Sequence, residues 1–296
     1  MKSPSIISVY ECIYENEEIV EEKLLNVSRL NPEGKVIQRE RYDKEGNLIK
    51  KEAYQYEGEL IMVTIEEDLV EKSINKTVCT YQGDKLVNQK EYLDDALTIE
   101  MVYNYNEEGE LTQNDALNDD GSLRSRYTYE YVGLKTVESF FDEEMALVRR
   151  TETTKDENEA VIAKKITEIY DNREEVNEQK IEHKIVDGEY IKNYYNNGTE
   201  AYEVVECYDE EGRVIENVLF DVAKDEESVT TIEYDENGNV VKEKIEVNDE
   251  EVSMTNVVFD EYGNRVELVK KSKLADDFFE TSTYKFVNEY EVDEEA

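Results

Sequence analysis

The segment "NPEGKVIQRERYDKEGNLIKKEAYQYEGELI", residues 31–61, decides the fold because it returns to glycine every twelve residues, at Gly34, Gly46 and Gly58. Its first four residues, Asn-Pro-Glu-Gly, have the composition of a type I turn, in which Asn suits the first position and Pro presets φ at the second. Glycine at the end of such a turn can take a positive φ, as in the G1 bulge of many hairpins. The rhythm therefore predicts a chain that reverses direction at each glycine.

The same pattern, Asn or Asp followed three positions later by Gly, recurs along the chain. Seven copies end at glycines that we predict to be structural turn residues: Gly34, Gly46, Gly109, Gly121, Gly212, Gly238 and Gly263. Three stretches without glycine, 141–145, 155–159 and 170–174, continue the interval of about 12–13 residues as degenerate turns. Similarity at a fixed period is the signature of a repeat architecture.

The segments between the turns alternate in the manner of β-strands. The stretch "RYTYEY" at 126–131 places Tyr127, Tyr129 and Tyr131 on one side of an extended chain, and "SVTTIEY" at 228–234 alternates in the same way. Alternation rich in β-branched and aromatic residues is typical of strands, and tight turns join antiparallel neighbours. We therefore predict an all-β fold, a long antiparallel up-and-down meander of about 20 hairpin-connected strands.

The shape of this sheet is less directly encoded. Polar residues lie on both sides of strands such as "KEKIEV" at 242–247, which permits a single layer held by cross-strand Glu–Lys and Tyr pairs. Twisted open sheets rarely exceed about 10 strands without curling. We expect a sheet twisted or curled into a spiral or trough rather than a flat ribbon, with the acidic tail 291–296 placed to protect one of its two edges.

Three segments make up one elongated domain in this interpretation. Residues 1–30 form an N-terminal cap segment, residues 31–276 the repeat region, and residues 277–296 a C-terminal strand and acidic tail. Apolar residues within 15–30 have roughly helical spacing, so a short helix is one interpretation of the cap. A first pair of strands is favoured, because residues 5–14 alternate before it.

The charge balance restricts the class of partner. The chain has 75 acidic and 34 basic residues, a net charge of −41, which repels nucleic acid and anionic membranes and attracts cationic partners. No apolar run is long enough for a signal peptide or a membrane span, so we expect a cytoplasmic protein with neither nucleic-acid nor membrane partners. Cys12, Cys79 and Cys207 are too few and too widely spaced for a disulfide framework and are expected to be free, buried thiols.

Residues 41–54, 207–221 and 233–247 share the unit Tyr-Asp-x-x-Gly-(Asn/Arg)-(Leu/Val). This unit resembles the YD repeat of the RHS family and the related bacterial MORN-variant antitoxin-type repeats. The resemblance implies antiparallel β-repeats, which in the large RHS proteins coil into a hollow shell that encloses a toxin. This chain is far shorter and more acidic and has no matching autoproteolytic core, so the resemblance implies a partial spiral or open trough.

No catalytic or metal-binding pattern stands out. The single histidine, His183, is expected to be a surface or cross-strand residue, and one His with three scattered Cys does not supply a zinc site. Residues 117–122 and 234–239 look like calcium loops but lack the EF-hand setting, so they predict turns whose Asp or Asn binds its own backbone; weak calcium binding stays open. We predict a protein that is not an enzyme and has no cofactor or metal.

Two functions from different classes remain. The first is an acidic binding protein, an immunity protein, antitoxin or chaperone, that neutralises a basic protein partner such as a toxin or nuclease by electrostatic surface binding. The second is a structural or surface-exposed β-repeat spacer or adhesin module of a larger secreted system. The tyrosines at 127–131 serve either a binding surface or cross-strand packing, and packing is favoured.

Overall fold

The computed structural model describes residues 4–15, 18–170, 173–186, 189–275 and 278–290, and over these ranges the protein is all-β. The strands of the first half are Ile6–Glu15 (β1), Glu18–Leu30 (β2), Val36–Tyr42 (β3), Leu48–Glu57 (β4), Leu60–Asp68 (β5), Ser73–Gln82 (β6), Lys85–Leu93 (β7), Ala96–Tyr105 (β8), Leu111–Leu117 (β9), Leu123–Val132 (β10) and Lys135–Phe141 (β11). Those of the second half are Leu147–Lys155 (β12), Val161–Tyr170 (β13), Arg173–Val186 (β14), Glu189–Asn196 (β15), Thr199–Tyr208 (β16), Val214–Asp221 (β17), Glu226–Tyr234 (β18), Val240–Val247 (β19), Glu250–Phe259 (β20), Arg265–Ala275 (β21) and Phe278–Glu289 (β22). No helix long and apolar enough to cross a membrane occurs within these ranges.

Each strand pairs antiparallel with the next, and β1 also pairs with β22, so the 22 strands close into a barrel. The predicted all-β up-and-down meander of about 20 strands is confirmed. The expectation of an open spiral or trough is corrected, because residues 6–12 of β1 pair in register with residues 283–289 of β22. The backbone N–H and C=O groups of the two edge strands bond to each other over these residues, so this part of the edges needs no other cover. The tail 291–296 lies outside the described residues.

The N-terminal segment is a strand pair rather than a helix. Strands β1 and β2 are partners from Ile6 opposite Arg29 to Glu15 opposite Glu18, with two register shifts between. Both belong to the same sheet as the repeat region, since β2 pairs with β3 and β1 pairs with β22. The alternation of residues 5–14 therefore predicted the local structure correctly.

Nine described turns share one geometry, a type I turn followed by a G1 bulge. In the turn at 43–47, the Gly46 N–H donates to the Asp43 carbonyl at 3.1 Å, and the Asp43 N–H donates to the Asn47 carbonyl at 2.9 Å. The same two bonds recur in the turns at 31–35, 106–110, 118–122, 142–146, 156–160, 209–213, 235–239 and 260–264. The seven glycines of the repeated motif occupy the fourth position with φ between 79° and 87°.

Two of the three degenerate turns keep this geometry without glycine. Met145 and Glu159 take φ values of 61° and 65° at the position that glycine holds elsewhere. The third, at 170–174, does mark a reversal, because β13 and β14 pair antiparallel on either side of it, but Arg173 and Glu174 already pair with Tyr170 and Ile169 as part of β14. The connection there is shorter than the repeat suggests, and residues 171–172 lie outside the described part of the chain.

The barrel wall is a single layer. A compact monomer of 34.7 kDa would expose about 13,000 Å², whereas this chain exposes 19,367 Å². Among the described residues each strand contacts only its two neighbours, and no large side chain is fully buried. Twenty-two strands about 4.8 Å apart give a perimeter of about 106 Å, too wide for side chains to fill. Solvent therefore reaches both faces of the wall.

The register places most tyrosines on one face of this wall, which we call the tyrosine face. Cross-strand partners share a face, so each face can be followed around the barrel from strand to strand. The tyrosine face carries Tyr54, Tyr56, Tyr81, Tyr103, Tyr105, Tyr127, Tyr129, Tyr131, Tyr190, Tyr194, Tyr202, Tyr208, Tyr234 and Tyr284.

Candidate partner-binding surface

The turns form two rims, because an up-and-down barrel puts alternate turns at opposite ends. The rim at which β1 begins and β22 ends, called the terminal rim, has nine described turns: 31–35, 58–59, 83–84, 106–110, 133–134, 156–160, 209–213, 235–239 and 260–264. These turns contain sixteen acidic and two basic residues. The described turns of the opposite rim contain twelve acidic and three basic residues, at 43–47, 69–72, 94–95, 118–122, 142–146, 197–198, 222–225 and 248–249. Acidic charge is therefore concentrated at both ends, and most at the terminal rim.

The first acid of a rim turn is used to build the turn. The Asp235 carboxylate accepts the backbone N–H of Asn237 at 2.9 Å and of Asn239 at 2.8 Å. The Asn239 side-chain amide also donates to it at 2.9 Å, and these bonds lower the pKa of Asp235. The acids that follow, such as Glu236, are exposed and take no part in the turn's backbone bonds. Turns such as 235–239 and 106–110 thus present exposed carboxylates that are available to a partner.

Aromatic rings on the tyrosine face fasten the terminal rim to the strands. The Tyr56 hydroxyl donates to the Val36 carbonyl at 2.8 Å, and the Lys35 ammonium lies 5.6 Å from the centre of the Tyr56 ring. The same hydroxyl bond joins Tyr234 to Val214, at 2.9 Å. Such contacts repeat around the barrel with the cation 20 or 21 residues before the ring, at Lys35–Tyr56, Lys85–Tyr105, Arg213–Tyr234 and Arg265–Phe286.

Both basic residues of the terminal rim are neutralised within the rim. The Lys35 ammonium lies 2.6 Å from the Glu59 carboxylate and 2.6 Å from the Gly58 carbonyl. The Arg213 guanidinium lies 2.6 Å from the Asp209 carboxylate. No basic group of the described rim turns is left to attract an acidic partner, so the field of the rim is set by its surplus carboxylates.

His183 lies in a hydrogen-bonded network on the tyrosine face. Its Nε2 is 3.2 Å from the Val161 carbonyl and its Nδ1 is 2.6 Å from the Tyr190 hydroxyl. Because the carbonyl only accepts, Nε2 carries the hydrogen in the neutral ring and Nδ1 accepts the Tyr190 proton. Of the two expected settings for His183, surface or cross-strand, the structure shows the cross-strand one, since its ring contacts both β13 and β15.

The network continues through an ion pair on the next strands. The Lys192 ammonium lies 2.8 and 2.9 Å from the two Glu206 oxygens. The Tyr208 hydroxyl donates to Glu206 at 2.6 Å, which together with burial and the negative charge raises the pKa of Tyr208 to about 12. Burial alone would raise the pKa of Glu206, but the bonds from Lys192 and Tyr208 lower it. With its polar groups satisfied in this way, the network joins strands and offers no activated nucleophile.

The tyrosine stripe at 127–131 packs across strands, as favoured from the sequence. The Tyr127 ring lies 4.7 Å from the Phe140 ring on β11, and the Tyr131 hydroxyl donates to the Leu111 carbonyl on β9 at 2.9 Å. Burial, followed by the charge of Glu138, raises the pKa of Tyr129. These contacts hold three strands together.

Metal and thiol chemistry find little support in the described ranges. No group of three or more His, Cys, Asp or Glu side chains that could hold a metal occurs there. The two calcium-like stretches are turns that bind themselves: Asp235 as described above, and Asp120, which accepts the Ser122 N–H at 2.9 Å. None of the three cysteines forms a disulfide with another described residue, and only Cys12 is buried, while Cys79 and Cys207 are half-buried.

Comparisons with known proteins give only distant structural likenesses. No family model matches the chain, and no curated protein does. The barrel is similar to a porin-like protein from Bacteroides uniformis, with TM-score 0.26 and 11% identity over 98% of both chains. It is also similar to a porin-like protein from Bacteroides vulgatus, with TM-score 0.25 and 11% identity over 97% of this chain and 99% of that one. A third likeness is to TcdB2-TccC3-TEV, with TM-score 0.30 and 10% identity over 94% of this chain and 19% of that one. At such scores these likenesses carry no argument about function.

Proposed function

We propose that this chain is an acidic, non-enzymatic binding protein of the immunity, antitoxin or chaperone type, which neutralises a basic protein partner in the cytoplasm. The observation that carries the proposal is the charge of the terminal rim, whose described turns contain sixteen acidic residues and only two basic ones, both already paired. A field of one sign steers an oppositely charged protein to its surface and raises its association rate.

The surplus charge cannot be neutralised within the chain. If every Lys and Arg paired with one acid, 41 carboxylates would still lack a basic partner. Successive turns on one rim are two strands apart, about 10 Å, close to the screening length of about 8 Å at physiological salt. Neighbouring turns therefore act partly together, and a partner that spans four of them meets a nearly continuous acidic surface.

The sequence likeness to antitoxin-type repeats supports the same class of partner. Residues 41–54, 207–221 and 233–247 carry the shared unit, and all three contain a turn of the type I plus G1 geometry. The YD-repeat relationship remains a prediction, as does the identification of the partner as a toxin or nuclease.

The alternative is a structural or surface-exposed spacer or adhesin module. The single-layer wall favours it, because a wide closed sheet spans distance with few residues and needs no bound partner. In that case the acidic charge would serve solubility alone. Fractionation of cells that produce the protein natively separates the two, since an envelope location supports the spacer and a cytoplasmic pool supports the binding protein.

The proposed function is tested by capture from native lysate at low ionic strength, followed by elution with salt and mass spectrometry. We expect a basic protein that dissociates as salt is raised. The matched variants each remove four charges: Glu107→Gln/Glu108→Gln/Glu210→Gln/Glu236→Gln on the terminal rim, and Glu45→Gln/Asp119→Asn/Glu143→Gln/Glu144→Gln on the opposite rim.

The terminal-rim variant should weaken capture at least about tenfold, which corresponds to about 1.4 kcal/mol over four exposed charges. The opposite-rim variant should weaken it much less. Recovery of no basic protein at low salt would refute the proposed function, and equal losses in the two variants would refute the choice of rim.

A further inference from the structure

The pairing register drifts in one direction around the barrel. From Ile7 of β1, beside the terminal rim, successive cross-strand partners lead to Leu93 of β7, beside the opposite rim. The same climb leads from Tyr190 of β15 to Ser272 of β21. Such a drift is the shear of a closed barrel, and it tilts the strands from the barrel axis, typically by about 35–45°.

The backbone bonds fix the hand of this drift. In the turn between β3 and β4, the Asp43 N–H donates to Asn47, so the backbone groups of Asp43 point towards β4. Alternate residues of a strand point to the same neighbour, so the backbone groups of Arg41, which lies on the tyrosine face, also point towards β4. For L-residues, β4 then lies to the right of β3 when the tyrosine face is viewed with the terminal rim at the bottom.

The hand of the drift identifies the face that lines the lumen. Viewed as above, the cross-strand partners climb towards the right, so the strands lean to the left. The natural twist of about −20 to −25° per strand makes the strands of a closed barrel lean to the right when it is viewed from outside. The tyrosine face is therefore the inner face of the barrel, and the other face is the outer one.

The lumen is wide enough to admit part of another protein. A round barrel of 22 strands tilted by about 40° measures about 44 Å between opposite backbones, and side chains of about 7 Å on either side leave about 30 Å. Each described strand contacts only its two neighbours, so none of them fills this space. A folded domain of about 60 residues, with a radius of gyration of about 10 Å, is about 27 Å across and fits within it.

The two faces differ in chemistry between β6 and β11. On the outer face, cations pair with carboxylates on neighbouring strands, as Lys90 does with Glu100 at 3.5 Å and Arg126 with Asp115 at 2.6 Å. The inner face of the same strands has rings and a thioether side chain, which we call the tyrosine patch: Tyr81, Met101, Tyr103, Tyr127, Tyr129 and Phe140. Aromatic residues and Met are enriched, and charged residues depleted, at the centres of protein–protein interfaces.

The few charged groups on the inner face of β6 to β11 favour a cationic occupant. They are Lys85, Glu91 and Glu138, and Lys85 is already engaged, 5.4 Å from the centre of the Tyr105 ring at the rim end. Glu138 is the cross-strand partner of Tyr129. Any occupant of the patch also has to pass one of the two acidic rims, which admit positive charge more readily than negative charge.

Two rings of the patch have no partner among the described residues. Tyr103 and Tyr129 lie one step farther inside the lumen than Tyr105 and Tyr131 on the same strands. Neither ring has a described cation or another described ring against it, and neither hydroxyl bonds to a described residue. Rings of the same face that lie nearer the rim hold a cation of the chain, as Tyr105 holds Lys85. The faces of Tyr103 and Tyr129 are thus available to cations that a partner supplies.

We infer that the basic partner inserts a segment rich in arginine or lysine into the lumen and docks it on the tyrosine patch. Its cations stack on Tyr103 and Tyr129, about 12 Å apart across two strands, beside the carboxylates of Glu91 and Glu138. The inference rests on the proposed function and adds to it the place and the manner of binding. The acidic terminal rim steers the segment to the opening, and the patch retains it.

The first test asks which face is inside. Thr151→Cys on the tyrosine face and Thr167→Cys on the outer face lie half-way along neighbouring strands. Each is made in a background with the three native cysteines replaced by alanine and is biotinylated through a short linker. Streptavidin, which is wider than the lumen, should bind biotin at residue 167 and not at residue 151. Binding at residue 151 would place the tyrosine face outside and overturn the inference.

The second test measures binding of a fluorescently labelled peptide of four Arg-Ser repeats by anisotropy at low ionic strength. Tyr103→Leu/Tyr129→Leu should bind it at least about tenfold more weakly, whereas Tyr103→Phe/Tyr129→Phe, which keeps both rings, should bind it within about twofold of the native protein. The control Tyr10→Leu/Tyr92→Leu removes two rings from the outer face and should also stay within about twofold. Native affinity in the leucine variant of the patch would refute docking on these rings.

The occupant and the site are checked further without altering the tyrosines. A peptide with citrulline in place of arginine keeps the shape but not the charge, and equal binding of the two peptides would exclude a basic segment as the selected occupant. A polyethylene glycol chain attached at residue 151 should weaken binding of the arginine peptide at least about tenfold, and the same chain at residue 167 should not. Equal effects at the two positions would place the peptide outside the lumen.

The proposed function is judged by a different result. Capture of a basic protein from lysate that depends on the terminal rim but not on Tyr103 and Tyr129 would support the proposed function and overturn docking in the lumen. Recovery of no basic protein would refute the proposed function, whatever affinity the arginine peptide shows for the patch.

Discussion

Replacing Gly212 by alanine tests whether the repeated glycines are required by the backbone. Gly212 has φ of 80°, and a Cβ added there meets no atom within 4 Å. The substitution therefore costs backbone strain without a clash. A non-glycine residue in the left-handed region costs about 1–2 kcal/mol, and that value is the expected loss in the free energy of unfolding. With an unfolding entropy of about 2.1 cal/mol/K per residue, the loss lowers Tm by about 2–3 °C.

The reverse change should stabilise the protein. Glu159 holds the equivalent position with φ of 65°, so Glu159→Gly relieves about 1–2 kcal/mol of strain and costs about 0.5–1 kcal/mol in glycine's extra unfolded-state entropy. A net gain of about 0.5 kcal/mol is expected. Urea unfolding followed by circular dichroism measures both variants, with Glu210→Ala in the same turn as Gly212 as the control. A Gly212→Ala protein as stable as the native one would refute the reasoning, because a glycine free of conformational demand is stabilised by alanine.

Three further outcomes are expected. Hydrogen bonds from Asn239 lower the pKa of Asp235 in the folded protein, so the unfolded state binds more protons in acid. The contribution of Asp235 to the free energy of unfolding is therefore complete above about pH 4 and is lost as pH falls through the folded pKa. Urea midpoints across this range should fall less steeply in Asp235→Asn. The pKa of Tyr208 is raised to about 12, so its contribution to the free energy of unfolding is complete below about pH 10 and is lost as pH rises through 12. An ultraviolet absorbance titration should show one fewer late-titrating tyrosine in Tyr208→Phe than in the native protein. Tyr234→Phe removes the bond to Val214 but keeps the ring beside the arginine, so the free energy of unfolding should fall by about 1 kcal/mol in a urea titration.

The strands and turns could be predicted from sequence because each is decided by nearby residues. A turn such as 235–238 needs an Asp to accept backbone hydrogens, two residues in right-handed conformation and a glycine at positive φ, all within one short stretch. At 170–174 the predicted reversal occurs, but Tyr170 already pairs with Arg173, so the connection is too short for the five-residue geometry of the other turns. Met145 and Glu159 show that the interval can hold without glycine, so spacing alone did not distinguish the two cases.

Closure of the barrel could not be predicted in the same way. It depends on β1 pairing with β22, and Ser5 is joined to Glu289 across an interval of 284 residues. The sequence of neither strand indicates which strand it pairs with, and the twist that brings the two edges together accumulates over all the intervening strands. The acidic rim was hidden for a related reason. Successive turns alternate between the two rims, so assigning a turn to its rim requires that every preceding strand is counted correctly. One missed strand would assign all the later turns to the wrong rim.

The same arrangement that leaves the protein without a filled core also makes it suited to bind charge. A wall with solvent on both faces obtains little from hydrophobic burial, so its stability must come mainly from backbone pairing and cross-strand contacts such as Lys192 with Glu206 and Tyr127 with Phe140. Many basic residues of the strands pair with a carboxylate on a neighbouring strand, as Lys50 does with Glu66 and Arg126 with Asp115. The turns need hydrogen-bond acceptors such as Asp235 but no cations, so much of the surplus acidic charge lies in the turns. There the carboxylates are exposed and are distributed between the two rims. Self-repulsion is lowest when the charges are spread around the ends of a wide barrel, and this distribution also presents them to a basic partner.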